Sequence, residues 1–146
     1  MKVAQFLKNL DDQRVIAAIR AAEGTTSGEI RVFVSSKKLG GKSVEELAAR
    51  QFEKLGMTRT AERNAVLLFF VPRDQEFAVI GDRGIHEKCR GAVWSETAAR
   101  LREELARGEF NDAVVHAIER LTVELATHFP RQSADRNELS DQIGRD

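Results

Sequence analysis

The sequence has a single cysteine, Cys89, among 146 residues. That excludes an intramolecular disulfide and a zinc site built from cysteines alone. Such sparse cysteine use suits a reducing compartment. There is no excess of charge of either sign, since 23 Lys and Arg balance 23 Asp and Glu. No overall field therefore steers the chain toward nucleic acid or an anionic membrane. There is no long apolar run either. The longest, Ala65–Val71, is far short of the roughly 20 residues that span a bilayer. Met1–Lys8 lacks the apolar stretch of a signal peptide. The expectation is a cytoplasmic protein with no membrane span and no nucleic-acid partner. Phosphate-binding loop, dinucleotide fingerprint, EF-hand loop and Gly-x-Ser-x-Gly elbow are all missing.

What is there describes one folded domain. Hydrophobic residues make up 42% and charged residues 32%, which excludes a disordered chain. At this length folding buries roughly 68–70% of the unfolded surface, enough for a core without staples.

The apolar spacing predicts a helix over Leu10–Glu23, with Val15, Ile16, Ile19 and Ala22 on one face. Glu29–Ser35 alternates as a strand. Ser43-Val44-Glu45-Glu46 is a capping box, and Val44, Leu47, Ala48, Phe52 and Leu55 continue it as a helical stripe. Met57–Arg63 reads as a polar loop. Ala65–Val71 is apolar throughout, β-branched and aromatic, and stops at Pro72, so it predicts a strand buried on both faces. A turn at Arg73-Asp74-Gln75 leads to a third strand, Glu76–Gly81. Helices follow over Ile85–Arg90 and Val93–Ala106, the latter with Trp94, Ala98, Leu101 and Leu105 inward and an Arg/Glu-rich solvated face. Asn111 is the expected N-cap of a last long helix that stops before Pro130. Residues 131–146 are polar apart from Ala134, Leu139 and Ile143 and read as a flexible tail unless those three dock. The fold class is α/β, a three-layer α/β/α sandwich around a small mixed sheet.

In that topology strands one and two run parallel and strand three runs back. The starts of the first two and the end of the third meet at one sheet edge. Glu29, Asn64, Asp82, Arg63, Arg83 and Gly84 gather there. These are the oxygen ligands a hard cation takes, with Asp82, Glu29, Asn64 and Glu87 as the candidate set and Glu62 as a further donor. The helix after Gly84, with Arg83 and Arg63, suits a phosphate. Asp82 and Glu29 are the candidate catalytic pair, acting on water through a bound calcium or magnesium ion. The same residues also have plain uses. Asp82 caps a helix, Glu29 begins a strand in solvent, and Asn64 closes a turn.

Other reactive residues are less suggestive. His86, His116 and His128 are read on different elements and show no metal-ligand spacing. Cys89 has no Cys-x-x-Cys partner and reads as a packed thiol. Ser35 and Ser36 follow the first strand without a nucleophile motif.

Four segments resemble one known family. They are Thr26-Ser27-Gly28-Glu29-Ile30, Arg63-Asn64-Ala65-Val66-Leu67-Leu68, Ile80-Gly81-Asp82-Arg83-Gly84-Ile85, and Phe110 to His128-Phe129-Pro130. In order and spacing these resemble the TPM domain, named for a thylakoid-lumen protein, a photosystem-repair protein and a nicotinic-receptor modulator. Typical members read Asn-Gly where this chain has Asn64-Ala65. Asn137-Glu138-Leu139 looks like the soluble branch. The resemblance implies an α/β/α sandwich over residues 1–130, a divalent-cation pocket that often takes calcium, and a phosphatase-like activity in some members. Many relatives carry a signal peptide and a membrane anchor, and neither is read here.

Three functions are compatible with this pattern. The first is a weak hydrolase of phosphate esters or nucleotide phosphoanhydrides, with a phosphorylated small molecule as substrate. The second is a non-catalytic, cation-stabilised module that contacts a protein partner. The third is a structural domain without a site.

Overall fold

The computed structural model describes residues 6, 9–89, 91–131 and 139–146. Helix α1 spans Asp12–Glu23, and Asp11 caps it by accepting from the N–H groups of Gln13 and Arg14. Strand β1 is Glu29–Val34, and helix α2 is Val44–Lys54 with Ser43 as its cap. Strands β2 (Ala65–Val71) and β3 (Glu76–Gly81) form the expected hairpin. Helices α3 (Arg83–Lys88), α4 (Val93–Ala106) and α5 (Phe110–His128) follow. A short strand β4, Gly144–Arg145, ends the chain.

The sheet order is β3-β2-β1-β4, with β1 parallel to both β2 and β4 and β3 antiparallel. Every residue of β2 is buried. Its alternate side chains feed two cores. Val66, Leu68 and Phe70 pack with Val15, Ile19, Leu101, Ile118 and Leu121 under α1, α4 and α5. Leu67 and Phe69 pack with Ala48, Phe52 and Met57 under α2. Strands in the middle of a three-layer sandwich need this continuous apolarity.

Four details depart from the sequence reading. First, β4 is a fourth strand. Gly144 lies so close to β1 that a Cβ there would sit 2.5 Å from the Phe33 ring, and Ile143 is buried beside it. The last eight residues are therefore docked, whereas Ala134, Asn137 and Glu138 fall outside the described residues. Second, the loop after α2 contains a 3-10 turn, Met57–Arg59, with Met57 fully buried. Third, Asn111 lies inside α5 and caps nothing there. Its side chain accepts from the Asp11 N–H and donates to the Asn9 carbonyl, pinning the start of α1. Fourth, α4 does not have a purely solvated polar face. Glu104 is buried and bonded to His116 Nδ1 (2.7 Å) and Arg120 (3.1 Å) on α5. Trp94 is half-buried, and its indole N–H donates to the Cys89 carbonyl at 3.0 Å.

Candidate functional site

Backbone pairing gathers the amino-end edge of the sheet as the topology required. Glu29 N–H donates to the Asn64 carbonyl at 3.3 Å, and Asp82 N–H donates to the Ala65 carbonyl at 2.9 Å. Residues distant in sequence thus become neighbours.

Asp82 is committed within this edge. Its Oδ1 accepts from the Arg83 N–H at 2.7 Å and caps α3. Arg63 grips both its oxygens, Nε to Oδ2 at 2.7 Å and Nη2 to Oδ1 at 2.9 Å. Such a two-pronged pair fixes orientation as well as charge. Burial pushes the Asp82 carboxyl up, but the Arg63 bonds and charge and the Arg83 N–H outweigh it and hold it below the usual value. Arg63 itself has φ 51°, left-handed backbone that a non-glycine residue adopts only when its surroundings impose it.

Gly84 closes the edge. A Cβ on it would lie 2.4 Å from the Glu62 carbonyl oxygen and 2.7 Å from that of Arg63. Its N–H donates to the Arg63 carbonyl at 2.9 Å, and the Ile85 N–H donates to Asp82 O at 3.0 Å. The first-turn donors of α3 are consumed inside the fold. Arg63 and Gly84 are thus bonded within the loop, while the Arg83 side chain is the exposed member of the expected phosphate-binding set. Arg83 and Glu87 stand in solvent, facing each other at 4.0 Å. Among the described residues, only Cys89, Glu124 and His128 form a trio of His, Cys, Asp or Glu with ligand atoms all within 4.8 Å of one another. Asp82, Glu29 and Glu87 therefore share an edge without converging on one point.

The inner part of the edge is different. Glu29, expected in solvent at a strand start, is 3% exposed, and Asn64 is 1% exposed. Asn64 Nδ2 donates to Ser27 Oγ at 3.3 Å and to Glu62 Oε2 at 3.4 Å, and Ser27 Oγ donates to the same carboxylate at 2.7 Å. The Asn64 N–H donates to Thr60 Oγ1. Asn64 Oδ1 is buried and has no hydrogen-bond partner among the described residues. Leaving such an acceptor unpaired costs about 1–3 kcal/mol, so an orphan of this kind calls for an explanation.

Comparison with known proteins fits this geometry into a family. The sequence profile of the TPM domain matches residues 1–124. The chain belongs to the TPM domain family. A comparison with curated proteins returns no significant match. Among solved structures, this TPM domain is similar to the BA42 protein of the psychrophilic bacterium Bizionia argentinensis, at 31% identity and a TM-score of 0.85, over 94% of this chain and 95% of that one. It also shares its fold with the N-terminal domain of the cg2496 protein of Corynebacterium glutamicum, at 12% identity and a TM-score of 0.61, over 86% and 77% of the two chains. Among the described residues no helix is long and apolar enough to cross a membrane.

Sequence reasoning missed the supporting residues. Thr60 sits in a turn with no motif, and Ser27, though within a family-like segment, carries no sign of a role; only the fold sets them against Asn64. His116 and His128 lie on the same helix, each paired with a glutamate, Glu104 at 2.7 Å and Glu124 at 3.0 Å. The i, i+4 spacing of Glu124 and His128 was a readable signal for the second pair. Cys89 is buried, as a packed thiol should be, and burial foremost, then the Glu124 charge, pushes it up to about 11 against the opposing pull of Lys88.

Proposed function

We propose that this TPM domain binds a divalent cation, calcium or magnesium, at the amino-end edge of its sheet. Glu29 and Asn64 are the inner ligands and Glu62 the ligand at the rim. The observation that carries this reading is the buried Asn64 Oδ1, without a partner among the described residues, on an amide whose Nδ2 already bonds the Ser27 hydroxyl and the Glu62 carboxylate. Hard cations take such donors, and a bound ion would satisfy the orphan. Asp82 is assigned to positioning, since Arg63 and the α3 cap already use its oxygens.

The family profile carries the name TPM phosphatase, and that name motivates a second reading. A cation here would polarise a phosphate ester or a nucleotide phosphoanhydride and activate water. The chain's own part would be to hold the ion with Glu29 and Asn64 and to face the phosphate with exposed Arg83. The first reading requires binding alone and is compatible with docking of a protein partner. The second requires turnover as well.

A thermal-shift titration with Ca²⁺, Mg²⁺ and Mn²⁺ tests both readings. A ligand at a hundred times its Kd stabilises by about 2.7 kcal/mol. The melting temperature of the wild type should rise with cation concentration. That rise should vanish in Glu29→Gln and Asn64→Ala and persist in Asp82→Asn from a lower baseline. No shift at millimolar cation overturns the reading. Hydrolysis of p-nitrophenyl phosphate in the same samples then separates an enzyme from a binding module.

A further inference from the structure

The carboxyl ends of β1 and β4 open onto a groove of about 440 Å³, on the opposite edge of the sheet from Asn64. Its walls are the loop after β1 and the outer side of α2. Lys37, Lys38, Lys42, Arg50 and Lys54 line it, against one lining carboxylate, Asp146. Arg50 faces Glu46 at 3.9 Å, and none of the four lysines forms an ion pair among the described residues. In a chain whose charges balance overall, this is a local excess of one sign.

A second, independent observation concerns the anion already seated there. The Asp146 carboxylate sits in a ready-made anion cradle. Ser35 Oγ donates to its Oδ2, while the Ser36 N–H (2.8 Å) and Ser36 Oγ (3.0 Å) both donate to Oδ1. The Lys37 N–H in turn holds Ser35 Oγ at 3.2 Å. The loop is braced from below, because the Leu39 N–H donates to Asp74 on the β2–β3 turn at 2.7 Å. Two hydroxyls and a backbone N–H converging on one anion, with lysines lining the same groove, suit the oxygens of a phosphate as they suit this carboxylate. The volume is within the range of about 300–1,000 Å³ for small-ligand sites.

We propose that this groove binds small phosphate-bearing anions, and that Asp146 is their internal stand-in, displaced when one enters. This site does not depend on the cation reading of the opposite edge. The Asp146 carboxylate and a ligand anion become competing occupants of one cradle, while Ile143, Gly144 and the Arg145–Asp12 pair keep the rest of the tail docked. A site open about a tenth of the time binds about tenfold more weakly than one always open.

Calorimetric titration of the full chain with inorganic pyrophosphate, in chelator to silence the cation site, tests this. Asp146→Ala should bind pyrophosphate about tenfold tighter than wild type. Lys42→Glu and Lys37→Glu should each weaken binding severalfold, while Arg100→Glu on distant α4 leaves it unchanged. Circular dichroism melts confirm that each variant is folded. Equal affinity of wild type and Asp146→Ala would reduce Asp146 to an anchor and overturn the proposal. So would a loss in Arg100→Glu as large as in the groove variants, since binding would then be diffuse charge attraction.

Discussion

At the amino ends of β1 and β2, Asp82 is buried against Arg63, Glu29 is buried beside Asn64, and Gly84 touches the backbone of Glu62 and Arg63. At the carboxyl ends, Lys37, Lys38 and Lys42 stand in solvent around a carboxylate from the chain's own last residue. One edge satisfies most of its charges within the fold and, among the described residues, leaves the Asn64 Oδ1 without a partner. The other collects charge of one sign and borrows a neutraliser from elsewhere in the chain. The first arrangement is rigid because each group has several partners. The second, on the proposal above, exchanges its partner, since the Asp146 carboxylate is held by Ser35 and Ser36 rather than by a buried cation. Close packing makes an edge intolerant of substitution, and open charge makes it responsive to ligands.

Gly84→Ala should separate the two edges most strongly. The added carbon meets backbone oxygens at 2.4 and 2.7 Å, which cannot swing aside as a side chain would. Overpacking of this kind costs up to about 3 kcal/mol, which for a chain of this size is a fall in melting temperature on the order of 10 °C. Gly40→Ala in the opposite loop is the matched comparison. Its φ is +64°, but nothing lies within 4 Å. It meets only the left-handed backbone term of about 1–2 kcal/mol. Equal melting temperatures for the two variants would mean that the amino-end edge is no more tightly built than the loop.

Asp82→Ala is the next step down. It removes the α3 cap and releases Arg63 from a conformation with φ 51°. Loss of the cap alone costs about 1–2 kcal/mol. Lys38→Ala, at the other edge, should stay within about 0.5 kcal/mol of wild type. Urea denaturation of both variants checks the difference.

The amino-end edge was legible in the sequence down to its membership, and for a physical reason. Strand direction follows from connection length, so Glu29, Asn64 and Asp82 had to meet once Ala65–Val71 was read as a central strand. The roles within the edge were not legible. The sequence places Arg63 beside Asn64 but gives no sign that its left-handed backbone turns the guanidinium onto Asp82. Gly84 reads as a helix start, and only the approach of the Glu62 carbonyl shows why it lacks a side chain. The carboxyl-end edge was less legible still. Ser35 and Ser36 carried no motif, and their partner lies 110 residues away from Ser36 in a polar tail. Docking of that tail rests on Ile143 and Gly144, too short an apolar signal to predict a strand. Glu104 was read as solvated because its neighbours in sequence are charged, whereas its partners His116 and Arg120 come from the next helix.

The two edges should also differ in pH dependence, with opposite slopes. Glu23 ends α1 just before the turn into β1. Burial first, then the hydrogen bond and charge of Asp141 and the charge of Glu29, push its carboxyl from an ordinary 4.5 up to about 8, with Arg131 opposing. Between those values the folded protein keeps a proton that the unfolded chain has released. Stability therefore falls as pH rises from about 4.5 to about 8. Asp146 behaves in the opposite way. Burial raises its carboxyl, but the bonds from Ser35 and Ser36 and the charge of Lys37 prevail and hold it below its ordinary 3.8. Its contribution is complete above that value and is lost as pH falls through the lowered one. Urea midpoints measured across this range should decline toward alkaline pH in the wild type and flatten in Glu23→Gln. Asp146→Ala should keep the alkaline decline and lose part of the fall in acid. A Glu23→Gln profile as steep as wild type would place the titrating group elsewhere.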